Sequence, residues 1–206
     1  METLEPLIRK GLSHFAVEFN DQQLRDISSY IYELGRWNQH MNLVGIKELR
    51  LVVTDLVFDA FFLHSRLQER QSVLDLGSGA GVVAIPLAVL GPRRTVFSVD
   101  KIMKKVQFQR HVKRMLGLAN LEVLYGRIED IPPIEADVLV AKALGSTSAV
   151  LDMGRKHLRH GGKAFLLKGA NEEASSEKGF LLDEATSYCL PETRKDYQLF
   201  AYKKIS

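Results

Sequence analysis

The residue types best suited to chemistry lie in the run Asp75-Leu76-Gly77-Ser78-Gly79-Ala80-Gly81. An acidic residue at the end of an apolar run, followed at once by three alternating glycines, places a turn where a predicted strand meets a ligand edge. Gly77 can adopt a backbone conformation closed to other residues, and Gly79 and Gly81 put no Cβ between main chain and ligand. A dinucleotide fingerprint would space its glycines G-x-G-x-x-G and aim a helix amino terminus at a pyrophosphate. Here the third glycine comes one residue early, and Pro86 follows inside the next apolar stretch, where it removes an amide donor unless the helix begins late. The pattern favours an uncharged nucleoside joined to an amino acid over a diphosphate. Asp100, 19 residues beyond Gly81, follows the second predicted strand and can accept from both hydroxyls of a ribose. That role is shared by NAD and S-adenosylmethionine sites and indicates adenosine without separating the two. Asp75, beneath the turn, can orient the loop or meet a ligand ammonium, and Gly126-Arg127-Ile128-Glu129 after the third strand is placed to flank an adenine.

Structural readings stand beside these. A G-x-G-x-G run also serves as an ordinary strand-to-helix turn, and Asp100 equally suits a helix cap. The six histidines, at 14, 40, 64, 111, 157 and 160, show no metal-ligand spacing, so no metal is expected. Trp37 fits a core position better than a stacking platform for a base. Lys101, Lys104 and Lys105 begin a helix beside the ligand edge, whereas Arg110, Lys113 and Arg114 fall on its opposite face, as on a solvated helix.

The elements that must position these residues follow from periodicity. Residues 1–67 read as a helical extension: Leu24, Ile27, Ile31 and Leu34 recur at helical spacing, a second helix is predicted over 47–67, and Trp37 to Leu43 form the connector. Residues 68–206 read as the ligand-binding domain. Strands are predicted at Ser72–Leu76, Thr95–Val99, Leu121–Tyr125, Asp137–Ala141 and Lys163–Leu167, with helices starting near Gly81, Lys101 and Ser146. This alternation implies a Rossmann-like α/β fold with a mostly parallel sheet. Thr186–Leu190 and Gln198–Lys204 are predicted as an antiparallel pair at the sheet edge.

Composition bounds the setting. Of 206 residues, 46% are hydrophobic and 26% charged, which fits a globular chain, and 28 basic against 25 acidic residues leave a net charge of +3, mild support for a polyanionic partner. With Cys189 the only cysteine, an internal disulfide and a thiolate metal cage are both excluded. Charges at Glu2, Glu5, Arg9, Lys10 and Glu18 interrupt any signal-peptide core, and no apolar run is long enough for a membrane helix. A soluble, cytoplasmic monomer is expected.

An ordered series of motifs resembles the glucose-inhibited division protein B family, bacterial enzymes that methylate N7 of a guanine in small-subunit (16S) ribosomal RNA. The series comprises Trp37-Asn38 with Asn42-Leu43, Asp59, Asp75 through Ala88, Asp100, Lys104-Lys105 with Phe108, Arg127-Ile128-Glu129, Lys142-Ala143 and Lys168-Gly169. The resemblance implies a class I methyltransferase fold, S-adenosylmethionine as cofactor, and ribosomal RNA or the small ribosomal subunit as partner. It implies cofactor contacts at Gly77, Val82, Ile128, Glu129 and Lys142, to which the residue reading adds Asp75, Ser78, Gly79, Gly81 and Asp100. Asp59 and Lys168 are the candidate substrate-binding residues. The chain departs from the family pattern at Val44, Leu56, Ala60 and Val83-Ala84, and Lys142 stands where arginine is usual. Guanine N7 carries a free lone pair and loses no proton on methylation, so no acid or base residue is assigned. A small-molecule methyltransferase, an NAD-binding protein and a donor-binding protein without catalysis are the rival readings.

Overall fold

The computed structural model describes residues 3–193 and 195–205. Seven strands form one sheet: β1 Val73–Leu76, β2 Val96–Asp100, β3 Leu121–Tyr125, β4 Ala136–Lys142, β5 Leu158–Gly169, β6 Phe180–Cys189 and β7 Asp196–Lys204. Their spatial order is β3-β2-β1-β4-β5-β7-β6. The first five run parallel, while β7 pairs antiparallel with β5 and with the edge strand β6. The order reverses between β1 and β4, which puts a topological switch point, the usual ligand crevice of such sheets, at the end of β1.

Side-chain alternation divides the core into two layers. Val73, Val138, Val140, Phe165, Leu167, Leu199 and Ala201 face one way and share a core with α1 Glu5–His14, α2 Asp21–Met41, α4 Phe58–His64, α5 Ala84–Leu90 and α6 Met103–Leu116. Their neighbours Leu74, Leu139, Ala141, Ala164, Leu166, Phe200 and Tyr202 face the other way, toward α7 Thr147–Gly154. The first 67 residues are thus packed onto the sheet by a continuous apolar layer.

Several predicted boundaries shift for identifiable reasons. Trp37 to Met41 lie inside α2, which ends at Asn42 in a left-handed conformation; Asn20 caps the other end in a reciprocal box with Gln23. The single helix predicted over 47–67 is instead α3 Leu49–Val52, a π-helical turn Val53–Val57 and α4. The helix after the glycine loop starts at Ala84 rather than Gly81, and its late start puts Pro86 in the first turn, where no intrahelical amide donor is lost. Strand β5 extends beyond the predicted apolar stretch on both sides, and β6 begins at Phe180 rather than Thr186. As an edge strand β6 exposes Leu181, Leu182 and Asp183 in succession, so no apolar-polar alternation marks its first half.

Candidate functional site

Strand β1 carries Asp75 to the switch point with 2% exposure. Its Oδ2 accepts from the Ser78 hydroxyl at 2.6 Å and from the Ala84 amide at 3.1 Å, so one carboxylate oxygen spans the whole glycine turn. Burial raises this carboxyl from the usual carboxylate range to about 6; the Asp100 charge adds to the rise, and the bonds from Ser78 and Ala84 and the charge of Lys142 oppose it.

Gly77 has φ +70°, and a Cβ there would lie 2.5 Å from Leu144 Cδ1, so both conformation and space demand glycine. Gly81, with φ +76°, serves a different end from that expected: a Cβ there would meet Ile85 at 2.6 Å, inside the packing of the turn rather than toward a ligand. Gly79 is held from both sides. Its amide donates to Asp100 Oδ2 at 2.8 Å, and its carbonyl accepts from Gln109 Nε2 at 2.8 Å. The other Asp100 oxygen accepts from the Ile102 amide at 2.8 Å. Asp100 therefore fixes the turn that leads into α6, without capping the helix, and ties down the glycine loop at once. Each oxygen keeps a lone pair, and the residue lines a cleft.

That cleft, about 140 Å³, runs along the ends of β1, β2 and β3 and is lined by Gly77, Asp100, Ile128, Glu129, Leu144 and Met153 among others. A second cavity of about 310 Å³ lies on the other side of Gly77, lined among others by Asp75, Ser78, Val82, Lys105 and Lys142, and walled by the loop 43–46 and Leu56. The two spaces meet over Gly77, beneath the loop Ala143-Leu144-Gly145.

Of the residues singled out from sequence, Asp75, Gly77, Ser78, Val82, Asp100, Ile128, Glu129 and Lys142 line one or other space, whereas Gly79 and Gly81 shape the turn behind them. Asp59 and Lys168 stand behind the walls. Asp59 is 1% exposed, neither a surface nor a capping carboxylate: its Oδ1 accepts from the Tyr188 hydroxyl at 2.7 Å, and its Oδ2 meets the Lys142 ammonium at 2.5 Å. Lys142 also donates to the carbonyls of Asp55 and Leu56 at 2.8 and 3.3 Å. These carbonyls belong to the π-helical turn, so one ammonium gathers β4, that turn and α4. Lys168 donates to the Gly145 carbonyl at 2.6 Å and pairs with Glu172 at 3.0 Å, pinning the loop that carries Leu144 over Gly77.

Sequence reasoning missed three supports. Gln109 is fully buried and receives the Ser98 hydroxyl at 2.5 Å while holding Gly79; its one signal is an amide on the apolar face of a helix. Tyr30 reaches from α2 to the Ala80 carbonyl at 3.1 Å, and Leu144 covers Gly77. Trp37 packs against Phe108 and donates to Glu33, as a core position implies. Lys104 spends its ammonium on the Met41 carbonyl, and only Lys105 of the three first-turn lysines lines the larger cavity. Among the described residues, no group of three or more His, Cys, Asp or Glu is arranged to hold a metal, and no helix is long and apolar enough to cross a membrane.

Comparison with solved structures finds the same architecture. A SAM dependent methyltransferase from Aquifex aeolicus superposes with a TM-score of 0.58 at 18% identity, covering 73% of this chain and 92% of the other. TrmN from Thermus thermophilus does so at 0.54 and 21% identity, over 71% of this chain and 49% of the other. In sequence, proteins named ribosomal RNA small subunit methyltransferase G are similar over nearly the whole length. The one from Geotalea uraniireducens is 30% identical over 100% of this chain and 99% of its own, and that from Geobacter sulfurreducens is 30% identical over 90% of each. The model of the family described as rRNA small subunit methyltransferase G matches residues 23–198, and the chain belongs to that family.

Proposed function

We propose that this protein transfers the methyl group of S-adenosylmethionine to N7 of a guanine in the 16S RNA of the small ribosomal subunit. The observation that carries the reading is the pair of spaces meeting over Gly77, one with the Asp100 carboxylate and the Ile128-Glu129 turn, the other with Asp75, Ser78 and Val82. The fit is chemical as well as spatial. Asp100 offers lone pairs to ribose hydroxyls, Ile128 an apolar face to adenine, and Glu129 is placed to accept from its amino group. Both hydrogen bonds to Asp75 fall on Oδ2, which leaves Oδ1 for an ammonium. The amides of Ser78, Gly79 and Gly81, which a dinucleotide would need for its pyrophosphate, are already spent on the Val99 carbonyl, Asp100 and the Ser78 carbonyl.

When bound, the donor supplies a methyl on a sulfonium; the methyl moves to guanine N7 as the breaking S–C electron pair returns to sulfur. What remains for the protein is alignment and charge. The loop that binds the donor is rigid, because Asp75, Asp100, Gln109 and Tyr30 each hold one of its backbone groups or its serine. Rigid placement of two reactants on one axis supplies much of the rate in such a displacement. No histidine lines either space, in keeping with a nucleophile that has no proton to lose. Asp75 lines the larger cavity, so a purine held there would place its growing positive charge in the field of that fixed carboxylate. Asp59 and Lys168 act on the acceptor side through the walls they hold.

Incubation of purified small subunits and of naked 16S RNA with methyl-labelled donor, followed by nuclease digestion and mass spectrometry, tests the reading. Label in 7-methylguanosine is the expected result. Calorimetry showing affinity for NAD and none for S-adenosylmethionine, or label confined to other nucleosides or to small molecules, would overturn it.

A further inference from the structure

A concavity of about 610 Å³ lies outside the donor site, on the outer face of α2 where it turns into the loop before α3. Its size falls in the range of small-ligand sites. Arg36 and Lys47 contribute two cations, Gln39 and Asn42 two amides, and Tyr32 an aromatic wall; no carboxylate lines it. Arg36 is paired with Glu33 yet 78% exposed, and the Tyr32 hydroxyl accepts from the Leu4 amide. The side chains of Gln39, Asn42 and Lys47 form no hydrogen bond or ion pair among the described residues.

The loop between the two sites is a shared wall. Leu43 to Ile46 line the larger donor-side cavity, while Asn42 and Lys47, at either end, line the α2 cleft. The loop is stiffened by one side chain: Asn38 Oδ1 accepts from the amides of Leu43 and Val44 at 2.7 and 3.0 Å, and its Nδ2 donates to the Ile46 carbonyl at 3.0 Å. The cleft therefore sits at a fixed offset from the reacting centre.

We propose that this cleft binds a single-stranded nucleotide neighbouring the methylated guanine, its base edge read by Gln39 and Asn42 and its phosphate met by Lys47 and Arg36. The inference rests on the reading of the chain as an RNA methyltransferase. Unpaired amides beside cations, with an aromatic wall and no acid, are the chemistry that recognises unstacked RNA bases. A nucleotide held here, with its neighbour over Gly77, straddles the stiff loop, and the strand is splayed rather than stacked.

The test compares Lys47→Glu and the double variant Gln39→Ala/Asn42→Gly with wild type in steady-state methylation of small subunits. Glycine keeps the left-handed conformation of residue 42, φ +46°, and Gln39 and Lys47 are exposed, so folding is undisturbed. Lys47→Glu is expected to raise KM for the RNA substrate on the order of tenfold and to reduce the slope of log affinity against log salt by about 1. The double variant is expected to raise KM with no change in salt slope, and both to leave kcat and the donor Kd as they are. Lys178→Glu, an exposed charge reversal elsewhere, serves as the control and leaves KM unchanged. Wild-type KM in both cleft variants, with wild type active on RNA, overturns the cleft assignment alone. Absence of RNA methylation by wild type overturns the underlying reading and this one with it.

Discussion

Removal of the Lys142 ammonium should be far more damaging than removal of its partner carboxylate. Asp59 is 1% exposed, and its side chain has two contacts, the Tyr188 hydroxyl and the ammonium. In Lys142→Met the carboxylate stays buried with the tyrosine alone, and stranding one member of a buried pair costs about 3–5 kcal/mol. In Asp59→Leu the ammonium keeps the Asp55 and Leu56 carbonyls, and its side chain is 19% exposed, so the loss is nearer that of an unsatisfied polar group, about 1–3 kcal/mol. The double variant strands nothing charged on the carboxylate side and should be more stable than Lys142→Met alone. For a domain of this size each kcal/mol moves Tm by about 2–4 °C, which gives Lys142→Met a loss on the order of 10 °C. Urea and thermal unfolding of the three variants, read by circular dichroism, measure the cycle. Losses that simply add, or a Lys142→Met variant within about 1 kcal/mol of wild type, would refute the claim that the pair acts as a unit.

Three other outcomes follow from the site. The Asp75 carboxyl titrates near 6 in the folded protein, well above its usual 3.8, so the native state holds its proton more tightly and stability from this group falls as pH rises from about 4 to 6. The donor's ammonium prefers the ionised form, so its Kd should rise about tenfold per pH unit below 6, a dependence that calorimetry should find missing in Asp75→Asn. Gly77→Ala should weaken donor binding by at least about tenfold, since φ +70° and a Cβ 2.5 Å from Leu144 cannot both be relieved; unchanged affinity, or full recovery in Gly77→Ala/Leu144→Ala, would show that the backbone conformation is not the constraint. His64 should titrate near 4 in proton NMR, because burial and the charge of Arg94, which donates to its Nδ1 at 2.8 Å, disfavour the imidazolium; a titration near 6.5 would contradict the packing around it. The depressed value means that stability from this group is complete above 6.5 and lost as pH falls toward 4.

The glycine turn and the cleft beside it were legible because strand ends and glycine spacing mark them. Glycine is required where the backbone turns left-handed, and Asp75 lies three residues from the serine it holds; Asp100 reaches Gly79 across 21 residues, but its place after the second predicted strand already puts it on the same sheet edge. Strands β1 to β4 are likewise marked by short β-branched runs between glycine and proline. Where the reading slipped, the deciding force was tertiary. The helix predicted over 47–67 has continuous apolar periodicity, yet Lys142 collects two of its carbonyls and the backbone widens into a π-helical turn there. Strand β6 has no clean period-two pattern to be seen, since Leu181 and Leu182 are both exposed and its register shifts between Leu182 and Glu184; its order comes from pairing along β7. Trp37 to Met41 read as a connector through their polar side chains, whereas α2 is held to Met41 by packing and by Lys104 on its last carbonyl.

The acceptor half is assembled by contacts between residues far apart in sequence: Lys142 with Asp59, Tyr188 with Asp59, and Lys168 with the carbonyl of Gly145. Each of these charges has a partner within the protein. They hold a turn and a loop whose side chains, Leu56 and Leu144, form the walls over Gly77. This division explains how the chain can depart from its family at Val44, Leu56 and Lys142 while Asp75 to Gly81 keep the pattern; the departure at Val83-Ala84 leaves the Ala84 amide on Asp75, a contact made by backbone. On the proposed reading, substitutions in the walls reshape the space offered to the acceptor, whereas the glycine turn is fixed from behind by Asp75, Asp100, Gln109 and Tyr30, and those supports do not pass through the walls. On that reading acceptor choice can drift without loss of donor binding, carried by Val44, Leu56 and Leu144 rather than by Asp59 and Lys168 behind them.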